Sequence, residues 1–253
     1  MFEHDFLSNY LGSFSDDYVL IGGNACALNF QKLDAPFRAT VDLDLVLIIE
    51  RENAKFYAHL CDYLVENGYT GGLYKCKEKG ACSYRFELKK QIQRPRVIEL
   101  FSRKPEYFDS DMSEKLHITP IVTQEGISNL SAMLLDDELY DFVIEHKCKI
   151  NNISTVTLEC LFGLKSIAWH GNEELFKQGE VKEGDVYKHP SDMIRIASVI
   201  PTQDYFYPRG IFDNIQISKH EFETGRILPK IQDVAEQVDD VIEFIDSYVK
   251  LKQ

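Results

Sequence analysis

Two aspartates separated by a single residue, at the start of an apolar run, constrain this chain more than any other feature. The residues from Val41 to Ile49 are dominated by Val, Leu and Ile, which predicts a buried β-strand that begins with Asp42 and Asp44. Side chains two residues apart on a strand point to the same face, so both carboxylates project together. Burying them costs free energy unless a cation neutralises them. Mg²⁺ takes oxygen ligands, so the pattern indicates metal-assisted phosphoryl or nucleotidyl transfer, with a solvated edge strand as the alternative.

A glycine pair lies upstream of the acidic strand. Residues 18–21 form a short apolar run, Gly22-Gly23 ends it, and the sequence from Asn24 favours a helix. A strand, a glycine turn and a helix N-terminus would place free backbone N–H groups where a triphosphate could bind. We therefore expect Gly22, Gly23 and Asn24 to cradle phosphates. The alternative is an ordinary turn.

These residues carry a family resemblance. Gly22-Gly23 followed by Asp42-x-Asp44 resembles the signature of the DNA polymerase β-like nucleotidyltransferase superfamily. The form Arg38-x-Thr40-x-Asp42-x-Asp44 resembles the abortive-infection (AbiE-type) toxin nucleotidyltransferases. The resemblance implies a site with two Mg²⁺ ions, an NTP such as ATP as donor, and a role for Arg38 and Thr40 in nucleotide binding. It also implies a toxin role with a cognate antitoxin as partner.

The resemblance further implies a third metal-binding carboxylate on a neighbouring strand. Glu99 is the best match, because it is the one acid in the apolar segment at 96–102. Glu87 is the competing candidate. The structural alternative for Glu99 is an inward-facing acid paired with one of the many basic residues nearby.

A looser match lies in the C-terminal half. Lys165 sits in a helical apolar pattern, and the segment Lys188-His-Pro-Ser-Asp192 follows it. The pairing resembles the helical lysine and the Lys-Asp-x-x-Asp-like element of AbiE-type proteins, although His189 stands where relatives often have Asp. A lysine that reaches the nucleotide would neutralise phosphate charge, and Asp192 could orient it. The alternatives are a snorkelling Lys165 and an Asp192 at a helix N-cap or on the surface.

The net charge of −13 conceals an uneven distribution. Residues 75–104 hold ten Lys or Arg against three acids, whereas residues 121–253 hold 23 acids against 13 bases. A basic stretch beside the third carboxylate favours phosphate-rich ligands, either NTP or RNA. Tyr74, Tyr84 and Phe86 lie within this stretch and could stack on a base. The alternative is a solvated hairpin whose lysines guard a sheet edge.

The element pattern predicts an α/β fold with two lobes. We expect a nucleotidyltransferase-like lobe with a mixed sheet and flanking helices at 1–118, and a mainly helical lobe at 119–253. The active site should lie in the cleft between them. The pattern also predicts a helix ending near Gly68, a hairpin within 72–88, a further strand at 139–150 and a long helix at 155–176.

Composition points to a soluble cytoplasmic enzyme. No apolar run is long enough to cross a membrane, the N-terminus shows no signal-peptide pattern, and the six cysteines form no Cys-x-x-Cys pair. We expect no membrane partner. Two other functions stay open: a non-catalytic nucleotide- or RNA-binding module, and a small-molecule nucleotidyltransferase of the antibiotic-resistance kind, for which the acidic C-terminal half could bind a cationic substrate.

Overall fold

The computed structural model describes residues 4–51, 53–71, 74–75, 81–82, 85–89, 95–103, 118–123 and 126–253. The chain divides into two compact units, Met1–Val156 and Thr157–Gln253.

The first unit is built on a mixed β-sheet. Its strands are β1 Tyr18–Ile21, β2 Asp42–Leu47, β3 Thr70–Gly71, β4 Tyr74–Lys75, β5 Ala81–Cys82, β6 Arg85–Glu87, β7 Val97–Ser102, β8 Ile118–Thr123, β9 Gly126–Leu134, β10 Lys147–Ile150 and β11 Ile153–Val156. The main sheet has the order β10-β11-β1-β2-β7-β6-β3, with β9 also paired to β7 and β8 to β9, while β4 and β5 pair separately. Because β2 is antiparallel to β1 and parallel to β7, the sheet is mixed, as the sequence predicted.

Apolar burial fixes the centre of this sheet. All four residues of β1 are buried, and so are Leu43, Leu45, Val46 and Leu47 of β2. Helices α1 His4–Leu11, α2 Gly22–Lys32, α3 Ala54–Glu66 and α4 Asp137–Glu145 belong to the same unit. The α/β class with flanking helices is therefore confirmed.

Helix α3 shows how local sequence sets its two ends. The side chain of Asn53 accepts a hydrogen bond from the backbone N–H of Phe56 at 3.4 Å, which caps the N-terminus. At the other end Gly68 has φ +73°, and the N–H groups of Gly68 and Tyr69 donate to the carbonyls of Val65 and Leu64. This pair of bonds is the Schellman arrangement, which needs a left-handed residue, so the prediction that the helix stops at Gly68 is confirmed.

The strand expected at 139–150 is wrong. The structure has α4 and then the shorter β10. Asp136 caps the helix by accepting the N–H of Leu139 at 2.8 Å, and acids in the first turn favour the helix dipole. Residues 119–253, expected to form a mainly helical lobe, also contain most of β8 and all of β9, β10 and β11.

Those four strands also bear on the division of the chain. Residues 118–156 contribute β8, β9, β10, β11 and α4 to the first unit. The division between compact units therefore falls at 156/157, whereas the sequence analysis divided the lobes at 118/119.

The second unit is mainly helical. It contains α5 Leu158–Lys177, α6 Glu183–Ala197, α7 Arg209–Thr224 and α8 Val238–Tyr248, with a short parallel pair of strands, β12 Tyr205–Tyr207 and β13 Val249–Leu251. The long helix predicted at 155–176 is present from Leu158, because Thr155 belongs to β11. Within the described residues, no helix combines the length and the apolar character that a bilayer crossing requires.

Candidate functional site

The glycine turn lies directly against the acidic strand. Ile21 pairs with Asp44 across β1 and β2, and Gly22 follows with φ +73°. A Cβ atom at Gly22 would lie 1.9 Å from Oδ2 of Asp44, a distance that atoms cannot tolerate. Glycine is therefore required twice over at this position, by its backbone conformation and by the close approach of the Asp44 carboxylate.

Arg38 and Thr40 reach the same turn. A Cβ atom at Gly23 would lie 2.5 Å from Oγ1 of Thr40 and 3.6 Å from an Nη atom of Arg38. The structure thus brings a guanidinium and a hydroxyl to the first turn of α2. The sequence connected these two residues to the glycine pair only through the family resemblance.

The side chain of Asn24 makes a contact that the sequence analysis did not predict. Its side chain is fully buried, and its Nδ2 donates a hydrogen bond to the backbone carbonyl of Asp42. Asn24 therefore ties α2 to the start of β2, and its side chain does not face an open site. Its Oδ1 is buried and has no hydrogen-bond partner among the described residues.

The N-terminus of α2 has no side-chain cap from its N-cap residue. Ile21 occupies the N-cap position and gives no side-chain cap, and the first turn carries no acid. The first N–H groups of a helix have no partner within the helix, and the helix dipole is positive at this end. Backbone N–H groups at Gly22 to Asn24 therefore favour an anion, and the carboxylate of Asp44 lies beside them at Gly22.

Three carboxylates share one face of neighbouring strands. Asp42 and Asp44 alternate with the buried Leu43 and Leu45 along β2, so they point away from that apolar face. Glu99 on β7 is the direct cross-strand partner of Asp44. All three are half-buried. We refer to Asp42, Asp44 and Glu99 as the acidic row.

Glu87 lies one strand further from the aspartates. It is on β6, where it pairs with Val97, so β7 separates it from β2. Glu99 is therefore the carboxylate next to the aspartate pair, which agrees with the strand placement expected from the sequence.

Arg85 is the residue that the sequence analysis missed. It is the cross-strand partner of Glu99 on the side away from Asp44, and its guanidinium donates to both Glu99 and Glu87, the latter at 2.9 Å. Burial alone would lower the pKa of Arg85, but the charge of Glu99 and the hydrogen bonds to the two glutamates raise it. Arg85 lies two residues before Glu87 in an alternating segment. This spacing could have indicated from the sequence that the two side chains share one face of a strand.

The acidic row suits a divalent cation by its chemistry, because carboxylates are the oxygen ligands that Mg²⁺ prefers. Over the described ranges, however, no three His, Cys, Asp or Glu side chains are close enough together to hold a metal ion. Glu99 is instead ion-paired with Arg85. Asp42, Asp44 and Glu99 therefore have the ligand chemistry for a metal ion but are not placed as a set of three that could hold one, and Glu99 would have to leave Arg85 to join the aspartates.

The second unit brings Lys165 and Asp192 together. Lys165 on α5 is 4% exposed, Asp192 on α6 is 0% exposed, and Nζ lies 2.8 Å from Oδ2. Arg195 lies on the other side of Asp192, with 3.6 Å between their charged atoms. Lys165 is therefore a buried partner of Asp192 and does not snorkel. His189 is buried beside them and lies 3.0 Å from Asn172 through its Nε2.

The basic stretch at 75–104 is only partly described. Arg85 and Arg103 are ion-paired with acids, Arg103 with Glu50 and Asp141. Lys89 and Arg96 are exposed. Other members lie outside the described residues: Lys77, Lys79, Lys90, Arg94 and Lys104, together with the aromatic Tyr84.

The prediction that Phe86 of the basic stretch could stack on a base is wrong. The side chain of Phe86 is 8% exposed, because it points to the apolar face of β6 between Arg85 and Glu87. Phe86 packs in the core and is not available to a base. The side chain of Tyr74 lies outside the described residues.

Comparisons with known proteins do not assign the chain to a family. No model of a known protein family matches the chain, and no curated protein matches its sequence.

Proposed function

We propose that this chain is a metal-dependent nucleotidyltransferase that moves a nucleoside monophosphate from an NTP to an acceptor hydroxyl. One observation carries the proposal: Asp44 packs against the Gly22 turn on one side and is in register with Glu99 on the other. Phosphate-binding backbone groups and a set of carboxylates thus meet on adjoining elements. The fold assignment to the nucleotidyltransferase superfamily is part of this proposal.

Each element has a distinct role. Backbone N–H groups of Gly22 to Asn24 would bind the triphosphate, with Arg38 and Thr40 beside them. Asp42 and Asp44 would hold two Mg²⁺ ions, together with Glu99. These ions would lower the pKa of the acceptor hydroxyl and stabilise charge on the attacking and leaving oxygens.

The reaction itself is a single displacement at phosphorus. The acceptor oxygen forms a bond to the α-phosphorus, the bond from that phosphorus to the bridging oxygen breaks, and pyrophosphate leaves. The proton of the acceptor hydroxyl is released to solvent or to a nearby carboxylate. The chain's own contribution is to hold the two oxygens in line.

We extend the proposal to the second unit and to the acceptor. Lys165, oriented by Asp192, would neutralise phosphate charge. This role requires that the buried Lys165 become accessible to the phosphates when the nucleotide is bound. RNA is the proposed acceptor, bound through residues 75–104, and a toxin role with a cognate antitoxin is the proposed setting.

A second candidate function is a nucleotide- or RNA-binding module without catalysis. The ion pair between Arg85 and Glu99 favours it, since a carboxylate permanently neutralised by a guanidinium cannot serve a metal. In that case the chain would bind an NTP or RNA and transfer nothing.

The deciding experiment incubates the protein with each NTP labelled at the α-phosphate, Mg²⁺, and total RNA, total protein or an aminoglycoside. Label in one acceptor class identifies the substrate. We expect label in RNA, a large loss in Glu99→Gln and a small one in Glu87→Gln. Binding of Mg-NTP in calorimetry without label in any acceptor would favour the module, and absence of binding would contradict both.

A further inference from the structure

The segment that follows α2 turns back along that helix. The N–H of Ala35 donates to the carbonyl of Phe30 at 2.9 Å, and Asp34, just before Ala35, has φ +54°. A left-handed residue after the C-terminus of a helix reverses the chain, as at the end of α3. Residues 35–41 therefore lead from the C-terminal end of α2 to β2, and their side chains reach the first turn of α2 at Gly23 on the way.

Phe37 anchors this return segment on the helix. Its ring centroid lies 4.8 Å from that of Phe30, with an angle of 52° between the two ring planes. Phe30 is 2% exposed, so the half-buried Phe37 packs against a residue of the core. Tilted aromatic pairs at this separation are favourable beyond the apolar area that they bury. The ring of Phe37 therefore has a defined position on the C-terminal half of α2.

Arg38 follows Phe37 and lies over its ring. The guanidinium carbon is 5.5 Å from the ring centroid, which is within the range of a cation–π interaction. One Nη atom of the same guanidinium lies 3.6 Å from the position that a Cβ atom of Gly23 would take. The guanidinium is thus located between an aromatic ring packed on α2 and the first turn of the same helix, where the backbone N–H groups favour an anion.

We propose that Phe37 is a positioning residue for nucleotide binding, because its ring holds the guanidinium of Arg38 at the first turn of α2. The inference rests on the proposed function, in which Arg38 lies beside the bound triphosphate. An arginine side chain loses rotamer freedom when it binds a phosphate. A ring that already restricts the guanidinium reduces this loss, so Phe37 strengthens binding of the phosphates without touching them.

The test measures binding of ATP, used as the probe, to the full chain by calorimetry in the presence of Mg²⁺. Phe37→Leu keeps an apolar side chain against Phe30 but removes the aromatic face, and we expect it to weaken ATP binding about three- to tenfold. Phe37→Tyr keeps that face and should restore the affinity of the wild-type chain. Inorganic triphosphate should show the same loss with Phe37→Leu, because Arg38 acts on phosphate. A loss confined to ATP would overturn the inference, since Phe37 would then contact the base or the sugar.

Phe14→Leu is the matched control. Phe14 is also half-buried, and its ring centroid lies 5.6 Å from that of the buried Phe56 in the same unit. The change removes a similar aromatic pair and leaves the contact between Phe37 and Arg38 in place. ATP affinity should stay unchanged, and thermal unfolding checks that each variant is folded. An equal loss of ATP binding in Phe14→Leu would overturn the inference, because a general loosening of the unit would explain both variants.

A double-mutant cycle separates an effect through Arg38 from a direct effect of the ring. In an Arg38→Gln background, Phe37→Leu should cause no further loss of ATP binding, because the positioned guanidinium is gone. An equal loss in both backgrounds would overturn the inference. Unchanged ATP affinity in Phe37→Leu would also overturn it.

Failure of the proposed function gives a different result. If the wild-type chain binds neither ATP nor inorganic triphosphate, both the function and this inference fall. If the wild-type chain binds ATP and transfers label to an acceptor, the function stands, and the response of ATP affinity to Phe37→Leu then decides this inference alone.

Discussion

The two units handle buried charge in opposite ways. The acidic row of the first unit places three half-buried carboxylates on adjacent strands, and one of them, Glu99, is ion-paired with Arg85. The second unit places Lys165 and Asp192 almost fully out of water, 2.8 Å apart. The first arrangement groups like charges that stay partly accessible to solvent, and the second pairs opposite charges away from solvent.

This difference reflects the free-energy cost of burying charged side chains. A fully buried ion pair with good geometry roughly repays its desolvation, but either ion alone would be very unfavourable. Half-buried acids retain some hydration, so the chain can hold them together at a moderate cost and recover it when a cation binds. The acidic row is therefore expected to affect activity more than stability, and the Lys165–Asp192 pair to affect stability in addition to the nucleotide binding proposed for Lys165.

The largest expected effect is on activity in the first unit. Changing both Asp42 and Asp44 to Asn should lower transfer by about 10³-fold or more, because the metal ligands are lost. The free energy of unfolding without metal should hold or rise, since repulsion is relieved. Transfer assays and urea unfolding measure the two effects.

The control for this change is Asp239→Asn with Asp240→Asn, which removes two exposed acids from α8. It should leave transfer close to that of the wild-type chain. Full activity in the Asp42/Asp44 variant would break the comparison, because the acidic row would then have no catalytic role.

The next effect is on stability in the second unit. Asp192→Asn should lower the free energy of unfolding by about 3–5 kcal/mol, because Lys165 is left buried without its counter-charge. Lys165→Met combined with Asp192→Leu should recover much of this loss. Urea unfolding measures both variants.

A matched control lies on the same helix as Lys165. Glu174→Gln breaks the pair of Glu174 with Lys177, whose side chains are 65% and 66% exposed. It should cost less than about 0.5 kcal/mol. If Asp192→Asn were as mild as this control, the contrast between the two units would not hold.

The third effect concerns the glycine turn. Gly22 and Gly68 share φ +73°, but a Cβ atom at Gly68 meets nothing within 4 Å, whereas one at Gly22 meets Asp44. Gly68→Ala should cost about 1 kcal/mol for backbone strain. Gly22→Ala should cost about 2–4 kcal/mol, because a steric clash is added to the strain. Equal costs in thermal unfolding would contradict the close packing of Asp44 on the turn.

Local patterns in the sequence were enough to predict much of the site. The alternation around Asp42 and Asp44, the glycine break at Gly22 and the apolar segment around Glu99 are each short-range features, and the structure places all of them together. The same holds for the end of α3 at Gly68.

Features that depend on distant residues were not predicted. Arg85 meets Glu99 only through the register of β6 on β7, which the sequence does not give directly. Helix α4 was mistaken for a strand because its apolar residues were counted without the capping Asp136. The hydrogen bond from the Asn24 side chain to the Asp42 carbonyl, a contact between α2 and β2, was not predicted either.

The smallest expected effect concerns the opposite net charges of residues 75–104 and residues 121–253. Residues 75–104 are basic, and we expect Lys89, Lys90, Arg94 and Arg96 to bind the RNA acceptor. Replacing these four by Ala should raise KM for the acceptor about three- to tenfold and leave NTP affinity nearly unchanged, because fewer counterions are released. Acceptor binding should also become less dependent on salt, which filter binding at several salt concentrations measures.

The control removes four exposed bases from the acidic second unit: Lys177, Arg209, Arg226 and Lys230. It changes the net charge by the same amount, so a general loss of attraction for polyanions would affect both variants equally. A larger effect of the 75–104 variant shows that the positive charge acts locally. Equal effects, or acceptor binding that does not depend on salt, would indicate that the basic residues only protect a sheet edge from pairing. Such a result would favour a small-molecule acceptor.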